Sequence, residues 1–330
     1  MRVFVLGAGA SLHVGYPLTK DLGPKLIAWA SSNEPLNQLY WLRFEELSPF
    51  GSLDDIEEFV SQVEKDPNSW AILEGLRSAL CGYFDSIRAN DAALYRRLAQ
   101  EVVQPGDVLV SFNYDVSLDR ELRRAGKWNP STGYGFNVDI RGLAASGATL
   151  LKLHGSTNWI DSLYGGLQAG QFNWVNDEPL GPRPVLLPQE FEFLEYPPGI
   201  RDPRFNGGGV ERSGSMILPS RGKRFYVSTS TSPHEGGGFW SSLWRQAGTA
   251  LRDAREIIVV GYSLPAADKD ARELLLKNSS RNSLLTICCG SATGNIAEEF
   301  VQGGFARERI LTDSSRFEDW IAVECGQVVA

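Results

Sequence analysis

Cysteine is scarce in this 330-residue chain: Cys81, Cys288, Cys289 and Cys325 are the only four, and no two form a Cys-x-x-Cys pair. Neither a zinc ribbon nor a disulfide framework is written in such spacing, so the thiols read as reduced and mostly buried, with Cys288 and Cys289 in the core. Long apolar runs are also missing. Met1 to Leu6 offers too few apolar residues before the glycines for a secretory leader, and no later run approaches the roughly 18 needed to span a bilayer. A cytoplasmic protein with no membrane partner is expected. Positive charge is in short supply: 32 Lys and Arg face 40 Asp and Glu, a net charge of -8, which argues against a broad nucleic-acid-binding face. What remains is an ordinary globular mixture, 42% hydrophobic and 22% charged, which excludes disordered, collagenous and fibrous chains. The length fits one large α/β domain, or a domain with an insertion.

Arg2 to Leu6 is a short apolar and β-branched run ending at Gly7-Ala8-Gly9-Ala10-Ser11, which predicts a buried strand entering a tight turn. Further strands are expected at Asp107 to Phe112, Thr149 to Leu153, Glu256 to Val260 and Leu284 to Cys289. Helical spacing follows at Asp115 to Arg124, Phe239 to Ala254, Ala267 to Asn278 and Asn295 to Gln302. This alternation predicts an α/β fold: a Rossmann-like parallel sheet with helices on both faces, and the whole chain 1–330 forming one domain. Residues 19–105 read as a helical insertion after the first strand, with Leu22, Leu26 and Trp29 on one face and Ile56, Phe59, Val60 and Val63 on another. That block takes the place of the acidic second strand expected of a dinucleotide-binding βαβ unit. Residues 162–238, rich in glycine and proline, read as a long loop; its Arg201, Arg204, Arg212, Arg221, Lys223 and Arg224 suit phosphate or partner contact, or equally simple solvation.

Four motifs can carry chemistry. In Gly7, Ala8, Gly9 and Ser11, small residues let backbone N–H groups and a hydroxyl approach phosphate oxygens, or merely make a tight turn. Asn113 and Asp115 follow the strand at Val108 to Val110, where ligand crevices form; Asp115 also suits a helix N-cap. His154 ends another strand before Gly155 and can exchange a proton near neutral pH, or serve as a structural histidine. Of the two other histidines, His13 lies in the glycine loop and His234 in the long loop. Gly261 and Ser263 follow the strand at Ile257 to Val260 and can bind a ribose or phosphate oxygen, or form a turn before Asp268 and Asp270 cap a helix. Trp240 and Trp244, four apart, read as a packing stripe.

In this order, Gly-Ala-Gly-Ala-Ser, Phe-Asn-Tyr-Asp, Leu-His-Gly-Ser and Gly-Tyr-Ser-Leu-Pro resemble the sirtuin-like NAD-binding family, and most closely the sirtuin-like domains of bacterial anti-phage defence proteins. The resemblance implies that Gly7, Ala8, Gly9 and Ser11 hold the NAD+ pyrophosphate, that Asn113 and Asp115 contact nicotinamide and its ribose, that His154 is the catalytic base, and that Gly261 and Ser263 bind the adenosine side. Sirtuin deacylases carry paired Cys-x-x-Cys motifs and an acidic-arginine element after the first glycines. This chain has no such pairs, and Tyr16-Pro17-Leu18-Thr19 stands in that element's place, which argues against peptide-lysine deacylation and against a metal.

The implied activity is NAD+ hydrolysis at the nicotinamide–ribose bond, giving nicotinamide and ADP-ribose, with Asn113 and His154 catalytic and NAD+ the substrate. Two alternatives share the motifs: a non-catalytic module that binds NAD+ or ADP-ribose, and an ADP-ribosyltransferase. No sensor module is expected after residue 330, so control is expected through self-association into a homo-oligomer or through a separate activator, such as the translocase-type ATPase or Argonaute-like protein of the relatives.

Overall fold

The computed structural model describes residues 1–32, 50–66, 70–87, 92–130, 132–136, 146–161, 184–186, 214–221, 239–312 and 316–326. Most of the long-loop segment, with His234 and Arg201, Arg204, Arg212, Lys223 and Arg224, lies outside these residues. The chain divides into two compact units, Met1–Gly15 with Ala89–His154 and Trp240–Ala330, and Tyr16–Arg88 with Gly155–Phe239.

The first unit is built on a six-stranded parallel sheet surrounded by helices. Its strands are β1 (Arg2–Leu6), β2 (Val108–Ser111), β3 (Thr149–Lys152), β7 (Glu256–Val260), β8 (Leu284–Cys288) and β9 (Ile310–Thr312), in the spatial order β3-β2-β1-β7-β8-β9. Val3 to Leu6 and Ile257 to Val260 are fully or almost fully buried, as strands covered on both faces require, and this is why both read as continuous apolar runs. The remaining strands in the unit's core lie within one residue of the expected limits. β9 was not expected: three residues are too short for a periodic signal, and as an edge strand it leaves Leu311 half exposed.

The chain moves outward from β1 to β3, then restarts beside β1 at β7 and moves the other way. With right-handed crossovers, that reversal puts the helices of the two halves on opposite faces. On the first face run α4 (Ala93–Arg97, continuing into a π turn at Leu98–Val102) and α5 (Ser117–Arg124); on the second, α7 (Lys269–Asn278) and α8 (Thr293–Gln302). Helix α6 (Phe239–Asp253) leads into β7. The last helix, α9 (Phe317–Glu324), packs with α4: Phe317 lies 5.8 Å from Tyr95 and Trp320 lies edge-on to Phe4.

The second unit contains the helices α1 (Thr19–Ser32), α2 (Ile56–Val63) and α3 (Trp70–Ser86), together with a small antiparallel sheet in the order β5-β4-β6, from Pro184–Leu186, Gly155–Asp161 and Gly214–Met216. The apolar faces read from the sequence are buried here: Leu22, Leu26 and Trp29 of α1, and Ile56, Phe59, Val60 and Val63 of α2. Asp55 caps α2 by accepting from the Glu58 N–H, and Arg221 pairs with both Asp55 (2.9 Å) and Glu58 (2.7 Å). Arg221 is thereby used for structure; these exposed pairs are each worth only about 0–1 kcal/mol.

Candidate active site

The sheet register brings the sequence motifs together. Leu6 pairs with Ser111 and with Val260, and Ser111 pairs with Lys152, so β1, β2, β3 and β7 end in one row. The ladder runs one residue further through Gly7 N–H to Val260 O, Phe112 N–H to Leu6 O and Leu153 N–H to Ser111 O. Ala8, Asn113, His154 and Tyr262 are therefore each two residues past the row, at the carboxyl ends of neighbouring strands and beside the β1–β7 reversal. In open parallel sheets this is where ligand crevices lie.

Glycine at 7, 9 and 261 is dictated by close packing. A Cβ on Gly7 would stand 2.6 Å from Gly261 O, one on Gly9 2.8 Å from Gly261 Cα, and one on Gly261, at φ +62°, 2.2 Å from Ala10 N. The loop after β1 does not enter an α-helix directly. Ala8–Val14 forms 3-10 turns, stopped by Gly15 in the left-handed conformation, and α1 begins only at Thr19. No long helix begins beside the glycines, because Gly15-Tyr16-Pro17 breaks the chain there.

Asn113 is held from both sides. Its amide nitrogen donates to Gly7 O and to Ser11 Oγ, both at 2.9 Å. Gly7 O can only accept, so the orientation of this amide is fixed by chemistry. Both amide protons are used inside the protein, and the half-buried side chain offers Oδ1, an acceptor, to whatever enters. Ser11 is buried, and its hydroxyl is saturated: it donates to Asp115 Oδ2 (2.7 Å) and accepts from Asn113 and from Tyr95 OH (2.7 Å). Asp115, also buried, accepts the Ser117 N–H on its other oxygen, as a residue before a helix should. Burial first, and the Asp115 charge second, raise the Tyr95 hydroxyl well above its usual range, so Tyr95 stays a neutral donor.

Below this layer, Lys152 is buried at the end of β3. Its Nζ donates to Asp115 O (2.6 Å) and lies 3.4 Å from Asp119 Oδ2, and Tyr134 OH donates to Asp119 Oδ1. Burial raises the Asp119 carboxyl above the ordinary range, opposed by the Lys152 charge.

His154 is buried, 4% exposed, among aromatic rings: Phe112 at 5.1 Å, Tyr114 and Trp244 both at 6.3 Å. Phe112 stacks on Tyr262 at 4.3 Å, and Trp244 Nε1 donates to Leu153 O (3.1 Å), which ties α6 to the end of β3. His154 Nε2 lies 3.3 Å from Asp268 Oδ2, itself buried. Ser263, by contrast, is exposed at the rim. Leu264 beside it is buried at φ +51°, an uncommon conformation for leucine, and more so before a proline; strained backbone of this kind concentrates at functional sites.

Sequence reasoning singled out every polar group of the front layer, Asn113, His154, Ser11 and Asp115, but missed Tyr95 and Asp268 as neighbours of the site. An isolated tyrosine on a helix gives no signal, and Asp268 reads as the helix cap it also is, accepting the Ala271 N–H. Lys152 did carry a signal, as the one charged residue of an otherwise apolar strand. Among the described residues no group of three or more His, Cys, Asp or Glu could hold a metal ion, and no helix is long and apolar enough to cross a membrane.

A cleft of about 730 Å³ opens at the opposite end of the strands, lined by Arg2, Asp107, Arg255 and Glu256 among others. It lies at the amino ends of the strands, and Arg2 and Asp107 are already paired at 2.7 Å, so it does not have the character of the crevice at the carboxyl ends. No match to the chain is found among protein-family models or curated proteins.

Proposed function

We propose that the chain is a sirtuin-like NAD+ glycohydrolase that releases nicotinamide and ADP-ribose, and that it acts in bacterial anti-phage defence by depleting NAD+. The observation that carries this reading is the meeting of Asn113, with only an acceptor left to offer, and the glycine pair Gly9 and Gly261 at the strand-order reversal, with His154 ending the next strand. A carbonyl acceptor suits the hydroxyls of a ribose or an attacking water, and a crevice floored by glycines suits a pyrophosphate.

In this reaction nicotinamide departs with the electrons of its bond to ribose C1′, which neutralises its ring, and the sugar passes through an oxocarbenium-like state. Water then bonds to C1′ and loses its proton to His154. Asn113 Oδ1 orients the water or the ribose, and such general-base help is worth about 10²- to 10⁴-fold. Ser11 and Asp115 act by holding Asn113, since the hydroxyl of Ser11 has no free valence for phosphate. Control through self-association or a separate ATPase or Argonaute-like activator belongs to the same proposal.

The test is nicotinamide release from NAD+ by purified protein over a range of protein concentrations, with Asn113→Ala and His154→Ala alongside. Turnover that rises with concentration and vanishes in both variants supports the reading. Full activity in either variant removes that residue from the mechanism. The near-complete burial of His154 favours a second reading, a module that binds NAD+ or ADP-ribose without cleaving it. Binding by calorimetry, with no nicotinamide released at any concentration, selects it.

A further inference from the structure

We infer that Arg272 is a positioning residue for ligand binding: it holds the loop 261–265 in the shape that lets Gly261 floor the crevice and Ser263 stand at its rim. Arg272 lies near the start of α7, just after that loop. Arg272 Nη1 donates to Leu264 O at 2.6 Å and to Glu299 Oε1 at 3.1 Å, one proton for each, while Nη2 faces the other Glu299 oxygen at 2.6 Å. Glu299 belongs to α8. The guanidinium is therefore carried by one helix, anchored by the next and bonded to the backbone of the loop.

The loop needs such a hold. Gly261 and Leu264 both sit at positive φ, +62° and +51°, and leucine enters that region only at a cost that its surroundings must offset. The Leu264 side chain is buried, and the Asp268 N–H donates to Pro265 O, which fixes the downstream side. A bond to Leu264 O fixes the peptide plane between Leu264 and Pro265, and with it the backbone leading back to Ser263 and Gly261. A charged donor does this more strongly than a neutral one, and the forked guanidinium serves Leu264 O and Glu299 together. Upstream, Gly261 O receives the Gly9 N–H, so a displaced loop disturbs the crevice floor. Asn113 and His154 follow other strands, β2 and β3, so the loss should fall on binding and not on the chemical step. This ligand role rests on the proposed NAD+ reading, whereas the hold on the loop does not.

Arg272→Gln, Arg272→Lys and Arg281→Gln, each in the full chain, test the role. Arg281 is the control, since it bonds Ser279 O and Leu276 O at the far end of the same helix. In Arg272→Gln, amide hydrogen exchange over 261–268 should quicken by about 10- to 100-fold, the factor that a hydrogen bond to a charged group is worth. The Kd for ADP-ribose by calorimetry and the KM for NAD+ should rise by about 10-fold, with kcat within about twofold. Arg272→Lys, still able to donate to Leu264 O, should restore most of the affinity, and Arg281→Gln should bind ADP-ribose as the native protein does. Native exchange in Arg272→Gln overturns the hold on the loop. Faster exchange at unchanged ADP-ribose affinity, a lowered kcat with KM held, or equally weakened binding in Arg281→Gln overturns the positioning role. If the native protein neither binds ADP-ribose nor releases nicotinamide, the NAD+ reading falls, and exchange over 261–268 still decides whether Arg272 holds the loop.

Discussion

Gly9 and Gly261 lie against each other so closely that neither has room for a methyl group. The contact joins the loops after β1 and β7, and it is sealed by the Gly9 N–H donating to Gly261 O at 2.9 Å. Gly261→Ala should therefore cost more than the left-handed backbone alone explains. Gly290 provides the comparison, since it has a similar φ of +57° with nothing near its missing Cβ. Urea unfolding should show Gly290→Ala losing about 1–2 kcal/mol, the usual cost of an L residue in that conformation. Gly261→Ala should lose at least about 2 kcal/mol more, because a backbone nitrogen stands in the way. Equal losses would mean that the two loops part without cost.

Ser11→Ala tests the hydroxyl that three side chains share. The substitution leaves the Tyr95 hydroxyl and one Asp115 oxygen short of a partner in a buried place, and frees one proton of Asn113. A loss of about 1–3 kcal/mol is expected, together with weaker NAD+ turnover because the Asn113 amide is free to rotate. Tyr95→Phe removes one bond and should cost about 1 kcal/mol. The double variant should cost less than the two single losses added together, since both remove the same hydrogen bond.

Much of this arrangement was written in local sequence. Continuous apolar runs marked β1 and β7 because a sheet covered on both faces needs no alternation, and the polar residues just past those runs were found because the carboxyl ends of parallel strands are where ligands bind. What could not be read was the third dimension. Nothing in the neighbourhood of Tyr95 says that its helix returns over Ser11, 84 positions earlier in the chain. Asp268 looked like a cap because one of its oxygens is a cap; the other meets His154 only through the β3–β7 arrangement of the sheet. Helix α9, with Phe317, Trp320 and Ile321 on one face, did carry a helical pattern, and its terminal position hid it.

The buried Lys152–Asp119 pair supports the site from below. Lys152→Met strips Asp119 of its counter-charge and should destabilise the protein by about 3–5 kcal/mol. Adding Asp119→Asn removes the stranded charge while keeping an acceptor for Tyr134, so the double variant should recover a large part of the loss. Denaturant midpoints at neutral pH check this. A double variant no more stable than Lys152→Met alone would show that the lysine acts through its bond to Asp115 O and not through the charge of Asp119.

Cys289 gives a pH dependence with a definite sign. Burial pushes its thiol up to about 11, against an ordinary value of 9.0, while the thiol donates to Tyr262 O at 3.4 Å. The folded value is raised, so the stability linked to this group is complete below about pH 9 and is lost as the pH climbs through 11. Native protein should lose stability over that interval relative to Cys289→Ala. At pH 8 the thiolate fraction is about 100-fold smaller than for an ordinary cysteine. Peptide mapping after brief iodoacetamide treatment should accordingly find Cys289, which is half-buried, almost unlabelled; rapid labelling of the folded protein would contradict its raised pKa.

The most discriminating substitution is Asn113→Asp, because it keeps the size and the acceptor but replaces the two amide protons by a negative charge. Those protons are what Gly7 O and Ser11 Oγ receive, and neither partner can adapt. Gly7 O is a carbonyl, so a carboxylate oxygen 2.9 Å away would repel it; Ser11 already spends its only proton on Asp115. The side chain should swing out of its orientation, and nicotinamide release should fall as far as in Asn113→Ala, by about 10²-fold or more. If Asn113 contributed only a polar surface, aspartate would serve nearly as well. Activity of Asn113→Asp close to that of the native protein would therefore mean that the oriented acceptor is not what the reaction uses.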